Sequence, residues 1–151
     1  MEKIIKQIAE LSAFIPLFEK QNVAVSNATI GWQIDHSLKV INQVISSLLN
    51  SKPEDYVRKF NWRKSLVFIS KKIPRGKVRA PKSVLPTEEI TEIGLMLSIE
   101  QAKENIRSLG NCERRQFFIH PFFGQVNVGE TKTFIQIHTE HHLKIIRDIC
   151  K

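Results

Sequence analysis

The sequence predicts an all-α protein, a four-helix bundle that forms one domain over residues 1–151 and carries an inserted basic loop. Apolar residues recur every three or four positions in four blocks of about 20 residues, which is the pattern of helices with one buried face. No segment alternates apolar and polar residues over a length useful for a strand. A chain of 151 residues suffices for one domain with a packed core and is too short for two.

The first two predicted helices cover residues 2–20 and 29–50. The buried stripe of the first is predicted to be Ile5, Ile8, Leu11, Ile15 and Phe18. The second keeps the same period with Ile30, Ile34, Leu38, Ile41, Ile45 and Leu48. Polar residues separate the two helices, and Ser26 or Asn27 is predicted to cap the second.

A shorter helical stretch, continuous or broken, is predicted from Pro53 to about residue 72, because a helix tolerates proline in its first turn. Ser51 is its predicted cap. The apolar residues of this stretch lie on one side of the helix: Trp62, Leu66 and Ile69.

The last two predicted helices flank a structured loop. Thr87 opens the first of them, and Glu88 and Glu89 lie in its first turn, where the helix dipole favours acids. Gly110 ends it. Its apolar residues are Ile90, Ile93, Leu97 and Ile106. The proline and glycines of residues 120–129 predict the structured loop, and the final helix runs from about Glu130 to the C-terminus.

The net charge of +8 and the pI near 9.7 raise the question of an anionic partner, such as nucleic acid, a membrane surface or an acidic small molecule. Much of the excess lies in the basic loop, residues 71–82: Lys71, Lys72, Arg75, Lys77, Arg79 and Lys82. Pro74, Gly76 and Pro81 exclude a recognition helix here, and no interleaved aromatic residues are present to stack on bases. Nucleic-acid binding is therefore disfavoured, and the preferred interpretation is a solvated basic loop or a loop that attracts an anionic substrate.

Cysteine usage and hydropathy predict a cytoplasmic protein with no membrane partner. Cys112 and Cys150 have neither a secretory context nor metal-ligand spacing, so both are expected to be free thiols. No signal peptide is recognisable. The longest apolar runs are far shorter than the roughly 20 residues of a membrane span.

The chain has five histidines, and three of them lie close together near the C-terminus. His138 and His142 are four positions apart, hence about 40° around a helix axis and one turn along it, so that both imidazoles can bind one ion. Both lie in the gap of the apolar stripe between Ile135 and Ile145, which predicts that they face the interior. His141 lies about 100° from His142, at the edge of that stripe.

The pattern excludes two known kinds of metal site. A zincin requires His-Glu-x-x-His, but Thr139 follows His138. A carboxylate-bridged di-iron bundle requires Glu-x-x-His, but Gln33 stands three positions before His36. One hypothesis is a three-histidine site for zinc or nickel with an open position, as in catalytic sites. The alternative is that His138 and His142 are buried, hydrogen-bonded histidines without a metal. From the residues alone, the third ligand is either His36 or His120.

Four segments of the chain resemble the DinB-like (YfiT-type) superfamily. They are Trp32-Gln-Ile-Asp-His36, His120-Pro-Phe-Phe-Gly124, Val128-Gly-Glu130 and Ile137-His-Thr-Glu-His-His142. The resemblance implies a four-helix bundle, often dimeric, that binds nickel or zinc through one histidine of the second helix and two of the last. It therefore implies His36, His138 and His142 as the metal ligands, with the basic loop outside the family's common core.

The expected function is that of a metal-dependent enzyme, a hydrolase or a thiol-dependent transferase. Relatives in the family include transferases and isomerases that use low-molecular-weight thiols, and some are hydrolases. A metal would activate water or such a thiol, and His120 or His141 would shuttle a proton. The alternative is a non-catalytic helical bundle for dimerisation or ligand binding. The resemblance also implies a homodimer.

Overall fold

The computed structural model describes residues 1–75 and 89–151 and is mostly helical. Within these residues the helices are α1 (Glu2–Ala13), α2 (Ile30–Leu49), α3 (Trp62–Ser70), α4 (Glu92–Ser108) and α5 (Val128–Cys150). A hairpin of β1 (Phe117–His120) and β2 (Gly124–Asn127) precedes α5. Short 3-10 turns occupy Ile15–Leu17, Pro53–Asp55 and Leu109–Asn111.

Helices α1, α2, α4 and α5 enclose the core, because α2 contacts both α4 and α5 and α1 contacts the same two helices. The predicted predominance of helix is confirmed. The finer assignment, a four-helix bundle of the DinB-like kind, stays a prediction. No helix among the residues described is both long and apolar enough to cross a bilayer.

Helix α1 ends earlier than predicted, at Ala13 instead of residue 20. The reason is Pro16, which lacks a backbone N–H and whose ring clashes with the carbonyl four residues earlier, so the chain continues as a 3-10 turn. The predicted stripe was also wrong at its start. Ile4 is fully buried, whereas Ile5 is exposed, because Ile4 is in phase with Ile8 and Leu11.

Helix α2 agrees with the prediction to within one residue at each end. Its cap differs: the side chain of Thr29, and not that of Ser26 or Asn27, accepts a hydrogen bond from the backbone N–H of Trp32. Ser26 instead accepts hydrogen bonds from the N–H of Ala28 and from the side chain of Gln33. The predicted apolar stripe of α2 is fully buried.

The helical stretch predicted after Pro53 is broken into a 3-10 turn and α3. Ser51 is not a cap, because its hydroxyl donates to the Leu48 carbonyl and accepts from the N–H of Phe117. The true cap of α3 is Asn61, which accepts from the N–H of Lys64. The apolar residues Trp62, Leu66 and Ile69 share one side as predicted, and all three are exposed.

Helix α4 begins at Glu92, capped by Thr91, so Glu89 precedes the helix and Glu92 is the acid of its first turn. The predicted start at Thr87 and Glu88 lies outside the described residues, as do Lys77, Arg79 and Lys82 of the basic loop. Of the four apolar residues that indicated this helix, Ile106 is buried and Ile90 packs against the core, whereas Ile93 and Leu97 are exposed. The buried residues are Leu95, Ile99, Ala102 and Ile106, spaced by four, three and four positions.

The expectation of no strands was wrong, because β1 and β2 pair antiparallel from Phe117 opposite Asn127 to His120 opposite Gly124. Strands of four residues are too short to show an alternation in the sequence. Gly124 supports the turn with a φ of 67°, a conformation that glycine adopts without strain. The hairpin fixes the start of α5, which carries two of the candidate ligands.

A capping box begins α5: the Asn127 side chain accepts from the N–H of Glu130, and the Glu130 carboxylate accepts from the N–H of Asn127. We expect Asn127→Ala to lower the free energy of unfolding by about 1 kcal/mol, because the backbone N–H of Glu130 loses its side-chain acceptor. Urea denaturation measures this change. The matched control is the exposed Asn111→Ala, expected to stay within about 0.5 kcal/mol of the wild type.

Candidate metal centre

The structure brings together one histidine from α2 and two from α5. His36, His138 and His142 each offer one ring nitrogen, and these three atoms all lie within 4.8 Å of one another. The ring centroids are 5.2 Å apart for His36 and His138, 4.8 Å for His36 and His142, and 4.6 Å for His138 and His142. The three histidine rings come together because α2 and α5 pack against each other along their buried faces.

The cluster is enclosed by protein. His36 is 4% exposed and His142 is 6% exposed, while His138 is half-buried. Burial lowers the pKa of both His138 and His142 well below its usual range, and the neighbouring histidines lower it further. Both rings are therefore neutral near pH 7. Neutral imidazole is the form that binds a metal ion.

Gln33 fixes the orientation of the His142 ring. The Nδ1 of His142 lies 2.6 Å from the Oε1 of Gln33, while the Nε2 of Gln33 donates to the hydroxyl of Ser26. Because an amide oxygen only accepts hydrogen bonds, Nδ1 of His142 carries the proton and Nε2 has the free lone pair. A metal-binding histidine typically donates its second N–H in this way.

Gln33 and Trp32 contact the candidate site, and the sequence alone did not reveal these contacts. Gln33 is a buried polar residue on the apolar face of α2, which is the signal that marks it. The ring of Trp32 stacks on His36, with centroids 5.0 Å apart and an angle of 14° between the planes. Phe134, one turn before His138, contacts the other side of the cluster at 5.7 Å. These rings hold the imidazoles and shield them from water.

His138 has one ring nitrogen without a partner. Its Nδ1 is buried, and within the described part of the chain it has no hydrogen-bond partner. An unsatisfied buried polar atom costs of the order of 1–3 kcal/mol, so such an atom calls for an explanation. The described group of side chains that meets here offers imidazole nitrogens and no carboxylate. The donor set therefore fits a divalent metal ion such as zinc or nickel.

The carboxylates near the three histidines, those of Glu140 and Asp35, are engaged in other hydrogen bonds and ion pairs. Glu140 accepts hydrogen bonds from Gln7 and Arg147, and Arg147 also binds Glu10, so this network joins α5 to α1. Although burial opposes it, these hydrogen bonds hold the pKa of Glu140 below its usual range. Asp35 is paired with Lys39 at 2.8 Å. Neither carboxylate belongs to the group of side chains that meet at the three histidines.

His120 lies apart from the three-histidine group, inside an aromatic cluster. Its Nδ1 accepts from the backbone N–H groups of Phe122 and Phe123, which closes the turn of the hairpin. Its ring stacks on Phe123 with centroids 4.1 Å apart and contacts Phe134 edge-on at 5.1 Å. Burial lowers the pKa of His120 to about 4. Its predicted role as a proton shuttle stays a prediction, as does that of His141.

His141 lies beside the cluster, with its ring 5.1 Å from that of His142. Burial and the charge of Arg75 lower the pKa of His141, and a hydrogen bond to the backbone of Ile73 opposes them. Arg75 itself pairs with Asp148 of α5 at 2.8 Å. The first residues of the basic loop therefore pack on α5 next to the candidate metal centre.

Comparison with known proteins identifies no relative: no family model, no curated protein and no solved structure matches this chain. The resemblance to the DinB-like superfamily accordingly stays a prediction. The three histidines, their burial and their hydrogen bonds are features of this chain itself.

Replacing Gln33 tests whether it orients the ligand. In Gln33→Leu the Nδ1–H of His142 loses its acceptor, so the ring is free to turn and to change tautomer. We expect the affinity for zinc to fall about tenfold, as is typical when such an outer partner is lost. Competition with a chromophoric chelator measures the affinity.

Gln33→Glu keeps an acceptor at the same place and is the matched control, expected to bind zinc at least as tightly as the wild type. An unchanged affinity in Gln33→Leu would show that Gln33 serves packing alone.

Proposed function

We propose that the chain is a metal-dependent enzyme of the DinB-like kind, with zinc or nickel held by His36, His138 and His142. The observation that carries the proposal is the meeting of three ring nitrogens, one from each histidine, within 4.8 Å. In addition, the buried Nδ1 of His138 has no hydrogen-bond partner among the described residues. A structural zinc site would have four ligands, usually with cysteines among them. Cys112 and Cys150 are not among the side chains that meet at this site.

A metal with three imidazole ligands and an open position lowers the pKa of a bound water or thiol and so makes it a nucleophile near neutral pH. The chain's own residues would supply the surroundings. Gln33 holds His142 in the tautomer with Nε2 free, and Trp32 limits the access of water at His36. The two reactions that this chemistry serves are hydrolysis and thiol-dependent group transfer.

His141 is the better placed of the two proposed proton carriers. It contacts His142 directly, and burial keeps its pKa below the usual range, so that it is a neutral base near pH 7. His120 is separated from the metal ligands by Phe134, and its Nδ1 is engaged by two backbone N–H groups. A small-molecule substrate, anionic or a thiol, and a homodimer complete the proposal, as the resemblance implies.

The test is elemental analysis of protein purified without an affinity tag, followed by an activity screen. We expect about one zinc or nickel ion per chain, and rates of ester hydrolysis or of transfer from low-molecular-weight thiols that disappear on chelation and return with the metal. A metal-free preparation that also fails to bind added zinc and nickel would overturn the proposal. It would favour the non-catalytic bundle instead.

A further inference from the structure

One segment of the chain has an extreme charge bias. Residues 56–87 contain ten of the 23 lysines and arginines and no aspartate or glutamate, so all 15 acidic residues lie elsewhere. The part of this segment that the structure describes comprises the chain before α3, α3 itself and the residues that follow it to Arg75. The positive net charge of the protein thus originates here.

Most of the described basic side chains in this segment are exposed and uncompensated. Lys64 pairs with Glu130, and Arg75 pairs with Asp148. For the other five, no ion pair exists within residues 1–75 and 89–151: Arg58, Lys59, Arg63, Lys71 and Lys72. An array of like charges without counter-ions on the protein attracts an anionic surface.

Large apolar side chains stand among these charges. Phe60 is 87% exposed and Ile69 is 82% exposed, and Trp62 and Leu66 between them are also mostly exposed. Trp62, Leu66 and Ile69 follow one another at helical spacing and so share one side of α3. We call this surface the basic apolar face: Arg58, Lys59, Phe60, Trp62, Arg63, Leu66, Ile69, Lys71 and Lys72.

The hairpin extends the same face. A cavity of about 370 Å³ lies between the chain before α3 and the hairpin, and it is bordered by Lys59 and Phe60 on one side and by the exposed Ile119 on the other. The side chain of Asn61 holds the two parts together by donating to the Phe122 carbonyl. Phe122 is itself partly exposed. Exposed apolar groups on two adjoining elements indicate a binding surface more than scattered single residues do.

The chemistry of the face discriminates among the partners. A nucleic acid would satisfy the cations, but aliphatic side chains such as Leu66 and Ile69 gain nothing from a phosphate backbone. A second copy joined through the same face would oppose like charges. An anionic bilayer suits both the basic and the apolar side chains of the face, since its headgroups attract the cations and its interface accepts aromatic and aliphatic side chains.

We propose that the basic apolar face binds the surface of a membrane that contains anionic phospholipid. Arg58, Lys59 and Arg63 contact the headgroups, while Phe60, Leu66 and Ile69 enter the interface. The absence of a membrane-spanning segment, on which the sequence expectation of no membrane partner rested, does not bear on binding of this peripheral kind. The proposal is independent of the metal centre.

The experiment is flotation of the full chain with lipid vesicles at physiological salt. We expect binding to vesicles of equimolar phosphatidylcholine and phosphatidylglycerol and none to phosphatidylcholine alone. The variant Arg58→Gln/Lys59→Gln/Arg63→Gln should bind roughly a hundredfold more weakly, from the typical contribution of each basic residue near an anionic surface. The variant Phe60→Ser/Leu66→Ser/Ile69→Ser should bind at least about tenfold more weakly.

A matched control comes from α4, where Ile93 and Leu97 are equally apolar and exposed, but acidic residues flank them. Ile93→Ser/Leu97→Ser should bind vesicles like the wild type. Circular dichroism and zinc content should be the same in every variant.

Wild-type binding by the Phe60/Leu66/Ile69 variant would overturn the proposal, because adsorption would then be purely electrostatic. Two other results would also overturn it. One is that duplex DNA displaces the vesicles and binds the Phe60/Leu66/Ile69 variant as tightly as it binds the wild type. The other is a dimer, found by sedimentation, that the same substitutions dissociate.

Discussion

Substitution of His142 by alanine is expected to weaken zinc binding by roughly a hundredfold or more. Structural zinc sites with four ligands bind with about 10–16 kcal/mol, so the loss of one ligand removes about a quarter of this free energy. In this chain the loss also leaves the Oε1 of Gln33 without its hydrogen-bond donor. Isothermal calorimetry with a competing chelator, on protein without an affinity tag, measures the change.

Three further variants make the result specific. His138→Ala should weaken binding as much as His142→Ala, since its ring completes the same group of nitrogens. His120→Ala and His141→Ala are the controls, because neither residue belongs to that group, and both should keep the affinity of the wild type. Circular dichroism must show that each variant is folded.

His36→Ala addresses the ligand that the residues alone could not assign. The sequence left His36 and His120 as alternatives, and the structure places His36, stacked on Trp32, against the other two rings. We expect His36→Ala to behave like His142→Ala. Full affinity in His36→Ala together with a loss in His120→Ala would refute the assignment of the third ligand.

The sequence alone predicted that His138 and His142 face the interior, because both residues lie on one helix and its local pattern orients them. His138 and His142 lie one turn apart on a single helix, and the gap in the apolar stripe between Ile135 and Ile145 already orients them inward. His142 is indeed buried and His138 half-buried. The bounds of α2 and α5 were also predictable to within two residues, since each carries a long, regular stripe.

The sequence-based predictions were wrong or incomplete where contacts between distant parts of the chain determine the structure. On α4 both the set with Leu95 and Ile99 and the set with Ile93 and Leu97 have helical spacing, so only packing against α1 and α2 selects the first. The role of Gln33 depends on a partner 109 positions away in the chain. The hairpin likewise depends on contacts with α2 that no local pattern encodes.

Acidification is expected to destabilise the metal-free protein steeply between about pH 6.5 and pH 4. Burial lowers the pKa of His120, His138 and His142 in the folded state, while the unfolded chain keeps ordinary values near 6.5. Below pH 6.5 the unfolded state therefore binds more protons than the folded state, and stability falls with falling pH. For His120, whose folded pKa is about 4, the loss amounts to at most about 3 kcal/mol.

Urea denaturation of the chelated protein at a series of pH values measures this loss, and His120→Asn isolates the part that belongs to His120. The asparagine oxygen occupies nearly the place of Nδ1, so the N–H groups of Phe122 and Phe123 keep an acceptor while the titrating ring is gone. The variant is expected to be less stable at pH 7, because the stacking on Phe123 is lost. Its stability should nevertheless fall less between pH 6.5 and pH 4 than that of the wild type. An identical slope in the two proteins would contradict the lowered pKa of His120, since the proton uptake would then arise from other groups.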